Sequence, residues 1–261
     1  MAKALSAAKL LPRTSSGRDM VQWRSGGSVV TQDAGRKLLE LPIVEGEPVR
    51  LGSQWQNRPN QHGVYFWQRT GRHIWYESSL EASCLVVLDQ GGEVDRILAQ
   101  PLRVLFRHGS KVVRHDPDFF GVLRNGDQVV YDVKPARRMT EAVRDQFEET
   151  ARVCEMAGWR HVVLHEPDGI LAANLAFLRN ARHSRAHPDP VMSEQIGNVF
   201  SGGRTLGEGR EMVNRRFPAL AMPFIKHLIW HRRLSVDPTE RLDFDTVATT
   251  VSQPEENRCC A

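Results

Sequence analysis

The chain has 261 residues, with 35 Lys/Arg and 31 Asp/Glu, which gives a formal net charge of +4 at pH 7. A chain of this length can form one large domain, or a core domain with a smaller satellite. Hydrophobic residues make up 41% of it, and no apolar run reaches the roughly eighteen residues that a membrane span requires. Composition therefore predicts a globular protein and no membrane partner.

The cysteines and the charge distribution give further information about cellular location and possible ligands. The four cysteines follow neither a metal-ligand spacing nor a disulfide framework, so we expect free thiols and a reducing, cytoplasmic location. Residues 1–75 hold 11 Lys/Arg against 5 Asp/Glu. This basic surplus suits phosphate binding, and it equally suits a basic extension that only keeps molecules apart.

The first elements in chain order are weakly patterned. Residues 1–35 lack sustained periodicity, and we interpret residues 1–50 as a basic, partly irregular N-terminal extension. Alternating polar and aromatic residues between about 50 and 75 predict one or two short strands. The stretch ESSLEASCLVVLDQGG has apolar residues at helical spacing and ends in Gly91-Gly92, which predicts an amphipathic helix.

Strand patterns dominate the middle of the chain. VDRILAQPLRVLFRHG predicts strand pieces interrupted by Pro101, and KVVRHDPDFFGVLRNGDQVVYDVKP predicts further strands with a turn at Asn125-Gly126. RRMTEAVRDQFEETARVCEMAGW has helical spacing, and RHVVLHEP reads as a short buried strand. This order predicts an α/β domain over residues 51–187, with a mixed sheet flanked by helices.

The pattern of apolar and polar residues changes after SRAHPDP, at residues 184–190. Short basic helical patterns follow, broken by SGGRTLGEG and by Pro218. We place a domain boundary near His187–Pro190, a small helical domain over residues 190–249, and a disordered tail over residues 250–261.

Acidic residues lie at both ends of the hairpin pattern in the middle of the chain, and the turn decides whether they meet. A two-residue Asn-Gly loop would place Asp118 opposite Val133, with Asp132 and Lys134 on the other face. A three-residue loop over 124–126, with Gly126 in the left-handed region, would instead place Asp118 opposite Asp132 with Lys134 next on that face. We predict the second register.

A pair of carboxylates beside an ammonium group has a specific chemistry. Two neighbouring carboxylates repel one another, and burial increases the cost. A divalent cation such as Mg²⁺ relieves the repulsion and can acidify water and polarise a phosphoryl group. A lysine nearby can orient the water or neutralise charge on the phosphate. These residue types predict phosphodiester hydrolysis.

The motif itself resembles a known one. Pro117-Asp118 followed by Asp132-Val133-Lys134 resembles the PD-(D/E)xK nuclease motif, in its usual frame of helix, hairpin, helix and strand. The stretches WYESSLEASCLVVLD, VDRILAQPLRV, RHDPDFFGVL and YDVKPARR resemble the TnsA family of transposon-end endonucleases over residues 72–168. HLIWHRRLSVD extends the resemblance, more weakly, into the helical region 190–246.

The TnsA resemblance implies a restriction-endonuclease-like fold with a helical or winged-helix-like C-terminal region. It implies a catalytic set of Glu81, Asp118 and Lys134, with Asp132 at the position before x-Lys. The metal ligands would be Glu81, Asp118, Asp132 and the backbone carbonyl of Val133, with Mg²⁺, or alternatively Mn²⁺, as the cofactor. Glu77, one helical turn earlier, remains the alternative to Glu81.

The same resemblance implies partners: transposon-end DNA, a DDE-type transposase subunit that cuts the other strand, and an AAA+ ATPase regulator. Two alternatives remain open, namely another restriction or repair nuclease of the same fold, and a catalytically silent DNA-binding scaffold. Asp116 could replace Asp118 if the register differed. Three histidines could line a groove or contact phosphate, although a lone histidine is more often structural: His115, His161 and His165.

Overall fold

The computed structural model describes residues 18–50, 61–108 and 111–251. The chain is a mixed α/β protein, and none of the helices in these ranges is long and apolar enough to cross a membrane. It divides into two compact units. The first comprises Met1–Ala82 and Glu93–His165, and the second comprises Ser83–Gly92 and Glu166–Ala261.

The described part of the first unit contains ten β-strands and two α-helices, the first of them shared with the second unit. Its strands are β1 (Met20–Ser25), β2 (Ser28–Asp33), β3 (Gly63–Trp67), β4 (Arg72–Tyr76), β5 (Val94–Ala99), β6 (Leu102–His108), β7 (Lys111–His115), β8 (Phe119–Leu123), β9 (Gln128–Val133) and β10 (Arg160–Leu164). Helix α1 (Ser79–Gly91) begins in this unit, and α2 (Glu141–Ala157) lies wholly within it. The predicted aromatic strands, both predicted helices and the strands around Pro101 are therefore confirmed.

The central sheet has the strand order β10-β9-β8-β5. β8 is antiparallel to both of its neighbours, whereas β9 and β10 are parallel. Parallel neighbours need a crossover, and α2 supplies it. The sequence FFGVL of β8 is buried at every position, as expected for a central strand covered on both faces. The mixed sheet of the prediction is confirmed.

A second sheet has the order β2-β1-β6-β7 and contains part of the predicted N-terminal extension. β1 pairs with β2 and, on its other side, with β6. Val21 and Trp23 of β1 belong to the same buried cluster as Phe120 of β8 and Val153 of α2. The expectation of irregular structure is wrong for residues 20–33, and position 50 does not separate the extension from the predicted nuclease domain. Residues 1–17 lie outside the described ranges.

The second unit combines helices with a small sheet. Its elements after α1 are α3 (Gly169–Leu178), α4 (Pro190–Phe200), β11 (Arg204–Thr205), α5 (Leu206–Val213), α6 (Met222–Trp230), β12 (Leu234–Ser235) and β13 (Val247–Thr250). The three strands form an antiparallel sheet in the order β11-β13-β12. Asp168, Asp189 and Thr205 cap α3, α4 and α5 by accepting hydrogen bonds from backbone N–H groups.

The boundaries of this unit differ from those predicted at 187–190 and 250. The compact units divide after His165, so α3 belongs with the C-terminal helices rather than with the residues before it. Thr250 closes strand β13 and pairs with Leu234, so the predicted tail does not begin there. Residues 252–261 lie outside the described residues.

Candidate active site

The turn between β8 and β9 fixes the register of the hairpin. Cα partners run from Phe119↔Tyr131 to Val122↔Gln128. Leu123 N–H donates to Asp127 O at 2.8 Å, which leaves residues 124–126 as a three-residue loop, and Gly126 has φ of 90°. This backbone conformation strongly favours glycine. The predicted register is confirmed, and its continuation beyond Phe119 sets Asp118 across from Asp132.

Asp118 directly precedes β8 and is hydrogen-bonded to the end of β9. Its Oδ2 accepts a hydrogen bond from Val133 N–H at 2.7 Å, and its own N–H donates to Tyr131 O at 3.1 Å. Burial, together with the negative charges of Glu81 and Asp132, raises the pKa of the Asp118 carboxyl to about 7. Three acids from α1, β8 and β9 therefore lie within electrostatic reach of one another.

Asp132 is the most deeply buried of these acids, at 2% exposure. His115 Nε2 lies 2.8 and 2.9 Å from its two carboxylate oxygens, and His161 Nε2 lies 2.8 Å from Oδ2. Burial opposes ionisation of Asp132, but the hydrogen bonds from the two histidines outweigh it and lower the pKa. Asp132 is therefore held as a carboxylate.

Glu81 lies in the first turn of α1 and takes part in capping it. Its Oε1 accepts from Ser78 Oγ at 2.9 Å, its Oε2 accepts from Glu77 N–H at 2.7 Å, and its own N–H donates to Ser78 Oγ. This is a variant of the capping box, in which a serine and a glutamate three residues later satisfy the free N–H groups at a helix start. Burial raises the pKa of Glu81.

Glu77, the alternative helical acid, has a different environment. Its carboxylate forms an ion pair with Arg50 at 2.9 Å. Burial is the largest cause of the raised pKa of Asp118, and the negative charges of Glu81 and Asp132 raise this pKa further. The charge of Glu77 is not among the leading causes. The charge interactions therefore associate Glu81, rather than Glu77, with the hairpin acids.

The remaining predicted residues are placed as follows. Asp116 is paired with Arg103 through two hydrogen bonds of 2.6 and 3.1 Å, so it does not replace Asp118. Lys134 follows β9, where its N–H donates to Leu164 O at 2.9 Å. In the described part of the chain, no ion pair joins the Lys134 ammonium to the three acids. A ligand role for the Val133 carbonyl stays a prediction.

The donor chemistry of the three acids fits a hard divalent cation, which prefers carboxylate oxygens. The three acids do not form a complete metal site in this conformation. Within the described ranges, no three His, Cys, Asp or Glu side chains converge on a position suited to a metal ion. Glu81 and Asp132 are each committed to hydrogen bonds. A cation at Asp118 would therefore share Glu81 and Asp132 with these hydrogen bonds, using lone pairs that they leave unoccupied, because a carboxylate has about four such positions.

The two histidines at Asp132 were undervalued by the sequence reasoning, which favoured structural roles for them. The predicted strand RHVVL is half-buried rather than buried, with Arg160 exposed. One signal was present in the pattern: β10 runs beside β9, so a polar side chain on the inner face of this strand needs a partner. Val163 pairs with Asp132, and His161 lies two residues earlier on the same face of β10. His115 comes from β7, and no local pattern connects it to Asp132.

His165 is the third histidine named from the sequence. Its Nδ1 lies 2.6 Å from Lys134 O, which links the ends of β9 and β10.

Comparison with known proteins adds no relative on which to base an assignment. No protein-family model matches the chain, and no curated protein sequence matches it significantly.

Proposed function

We propose that the protein is a metal-dependent DNA endonuclease of the PD-(D/E)xK type, acting as the TnsA-like subunit of a heteromeric transposase. The observation that carries this proposal is the hairpin register that sets Asp118 across from Asp132, where burial, with the negative charges of Glu81 and Asp132, raises the pKa of Asp118 to about 7. Clustering several carboxylates costs folding free energy, and such strained titratable groups concentrate at functional sites.

The order of elements supports the same assignment. An acid-bearing helix precedes an antiparallel β5-β8-β9 segment, which is followed by α2 and the parallel strand β10. This is the frame expected of a restriction-endonuclease-like domain, with Asp118 and Asp132 on the hairpin and Lys134 directly after it. In the second unit, the order α4-β11-α5-α6-β12-β13 with sheet order β11-β13-β12 supports a winged-helix-like domain.

Each residue has a proposed task. Asp118 and Asp132 would hold a divalent cation, and Val133 N–H fixes the orientation of the Asp118 carboxylate. Glu81 completes the acidic set from α1. The bound cation would acidify water and offset negative charge on the scissile phosphate. Lys134 donates from its ammonium group to the phosphate or to the attacking water. The partners proposed are transposon-end DNA, a DDE-type transposase and an AAA+ regulator.

The test is strand-specific cleavage of transposon-end DNA by the full chain, with Mg²⁺ or Mn²⁺, in the presence and absence of the partner transposase. Asp118→Ala and Lys134→Ala should each reduce the rate of cleavage at least ~100-fold, the magnitude associated with loss of an electrostatic catalytic group. Asp127→Asn is the matched control, because Asp127 is an exposed acid in the turn of the same hairpin.

The outcome separates the alternatives. Cleavage that persists in Asp118→Ala refutes the site. DNA binding without cleavage by the wild type, under all metal conditions and with the transposase present, supports the scaffold alternative. Comparing Glu81→Gln with Glu77→Gln identifies the helical acid, and only the first variant should lose cleavage.

A further inference from the structure

Four side chains form a continuous network around Asp132. The Gln146 amide nitrogen lies 2.6 Å from His115 Nδ1, His115 Nε2 contacts both Asp132 oxygens, and His161 Nε2 contacts Oδ2. The side chains of His115, Asp132 and His161 are 11%, 3% and 5% exposed. The three ionisable side chains are therefore largely shielded from water, which strengthens their hydrogen bonds, whereas Gln146 is half-buried.

The chemistry of the network fixes the direction of its hydrogen bonds. An ionised carboxylate only accepts hydrogen bonds, so both Nε2 atoms donate to Asp132. With the Gln146 amide nitrogen donating to His115 Nδ1, His115 carries its proton on Nε2. Two imidazoles thus occupy lone pairs on both oxygens of Asp132, yet a carboxylate has about four such positions. Positions on Asp132 remain for a cation.

Three separate elements hold the carboxylate in this way. His115 ends β7 in one sheet, His161 lies on β10 in the other, and Gln146 projects from α2. The Phe147 ring lies edge-on to both imidazoles, with centroid distances of 5.7 and 5.8 Å. The ring limits the rotation of both histidines, so the orientation of Asp132 is set by the packing of β7, α2 and β10 together.

We infer that His115 and His161 are positioning residues that hold the Asp132 carboxylate in place as a ligand of the divalent cation. This inference rests on the proposed nuclease function and adds to it two residues outside the acidic set and the lysine. Carboxylates that bind metals are commonly oriented by hydrogen-bond donors behind them, and loss of such donors typically reduces metal affinity by about 10- to 100-fold.

The test compares variants that keep or lose the donor, using Mn²⁺ alone as the probe and calorimetry of the full chain at one pH. His115→Leu and His161→Leu remove the N–H group but keep an apolar side chain beside Phe147. We expect them to weaken Mn²⁺ binding by about 10- to 100-fold. His115→Gln and His161→Gln keep an amide N–H donor, and we expect them to restore most of the affinity.

A second measurement needs no metal. In EDTA, unfolding of the wild type, His161→Leu, Asp132→Asn and the double variant forms a double-mutant cycle. We expect the two sites to be coupled by about tenfold in the unfolding equilibrium constant. This arm reports on the hydrogen bond itself, whether or not the protein cleaves DNA.

The two arms distinguish the failure of each proposal. Absence of Mn²⁺ binding by the wild type overturns the nuclease proposal and, with it, the ligand role assigned to Asp132. Equal Mn²⁺ affinity in the Leu and Gln variants overturns the positioning role while the nuclease proposal stands. Additive unfolding effects of His161→Leu and Asp132→Asn likewise overturn the positioning role.

Discussion

Replacing Asp118 by asparagine should stabilise the protein at alkaline pH. The wild-type carboxyl has its pKa raised from the ordinary 3.8 to about 7 by burial and by Glu81 and Asp132. Between these two pH values the folded protein keeps a proton on Asp118 that the unfolded chain has lost. The free energy of unfolding therefore falls as the pH rises through this window, and the loss is complete above about pH 7. Asparagine cannot ionise and escapes this loss.

The magnitude follows from the two pKa values. The interval from 3.8 to about 7 corresponds to an upper bound of about 4 kcal/mol, at about 1.4 kcal/mol per pH unit. Asp118 is only half-buried, so solvent screening and movement of the neighbouring acids reduce this figure. We expect Asp118→Asn to be more stable than the wild type by about 2 kcal/mol at pH 8, and by less than half of that at pH 5.

The assay is urea unfolding followed by tryptophan fluorescence, at pH 5 and pH 8 with EDTA present. The amide oxygen of the introduced asparagine can still accept the hydrogen bond from Val133 N–H, so the substitution removes the charge with little change in geometry. Asp127→Asn in the exposed turn measures the general effect of removing one negative charge. A variant that is equally stable or less stable than the wild type at pH 8 would refute the reasoning about the acidic cluster.

Three further predictions concern the same unit. At pH 8, saturating Mn²⁺ should raise the melting temperature of the wild type, because ligands that bind only the folded state stabilise it, and Asp118→Asn should lose this response. Gly126→Ala should lower the free energy of unfolding by about 1 kcal/mol through backbone strain alone, since a Cβ there meets nothing within 4 Å; a larger loss in urea unfolding would indicate a changed register. Arg103→Met should cost about 3 kcal/mol in the same assay, because it removes both hydrogen bonds to the buried Asp116 carboxylate and leaves it only the 3.9 Å contact with Arg114, and a neutral result would contradict this account.

Local patterns predicted the parts of the fold that depend on neighbouring residues. The spacing of apolar residues located α1 and α2, and the turn sequence limited the hairpin to two registers, of which the one with a three-residue loop is observed. Because one residue of slip reverses every side chain in a strand, that loop length brings Asp118 and Asp132 together.

Features that depend on distant partners were not predicted. β1 and β2 are six residues each, and β1 is stabilised by pairing with β6, which lies far along the chain. The short strand β13 similarly depends on pairing with β11 and β12. The contact between His115 and Asp132 joins two different sheets, and no periodicity in the sequence indicates such a contact. Lys134 was predicted to lie beside the acids. The position of its ammonium group depends on the side-chain rotamer, which the sequence motif does not specify.

The exposed turn at 124–126 also constrains how this protein can change. Solvent-exposed turns of small and polar residues are ordinarily where insertions and deletions are tolerated. Here, losing one residue from the turn would carry Asp132 to the opposite face of β9, away from Asp118 and from both histidines. Substitutions at Arg124 or Asn125 would leave the acids where they are. In this turn, the number of residues should therefore be far less variable than their identity.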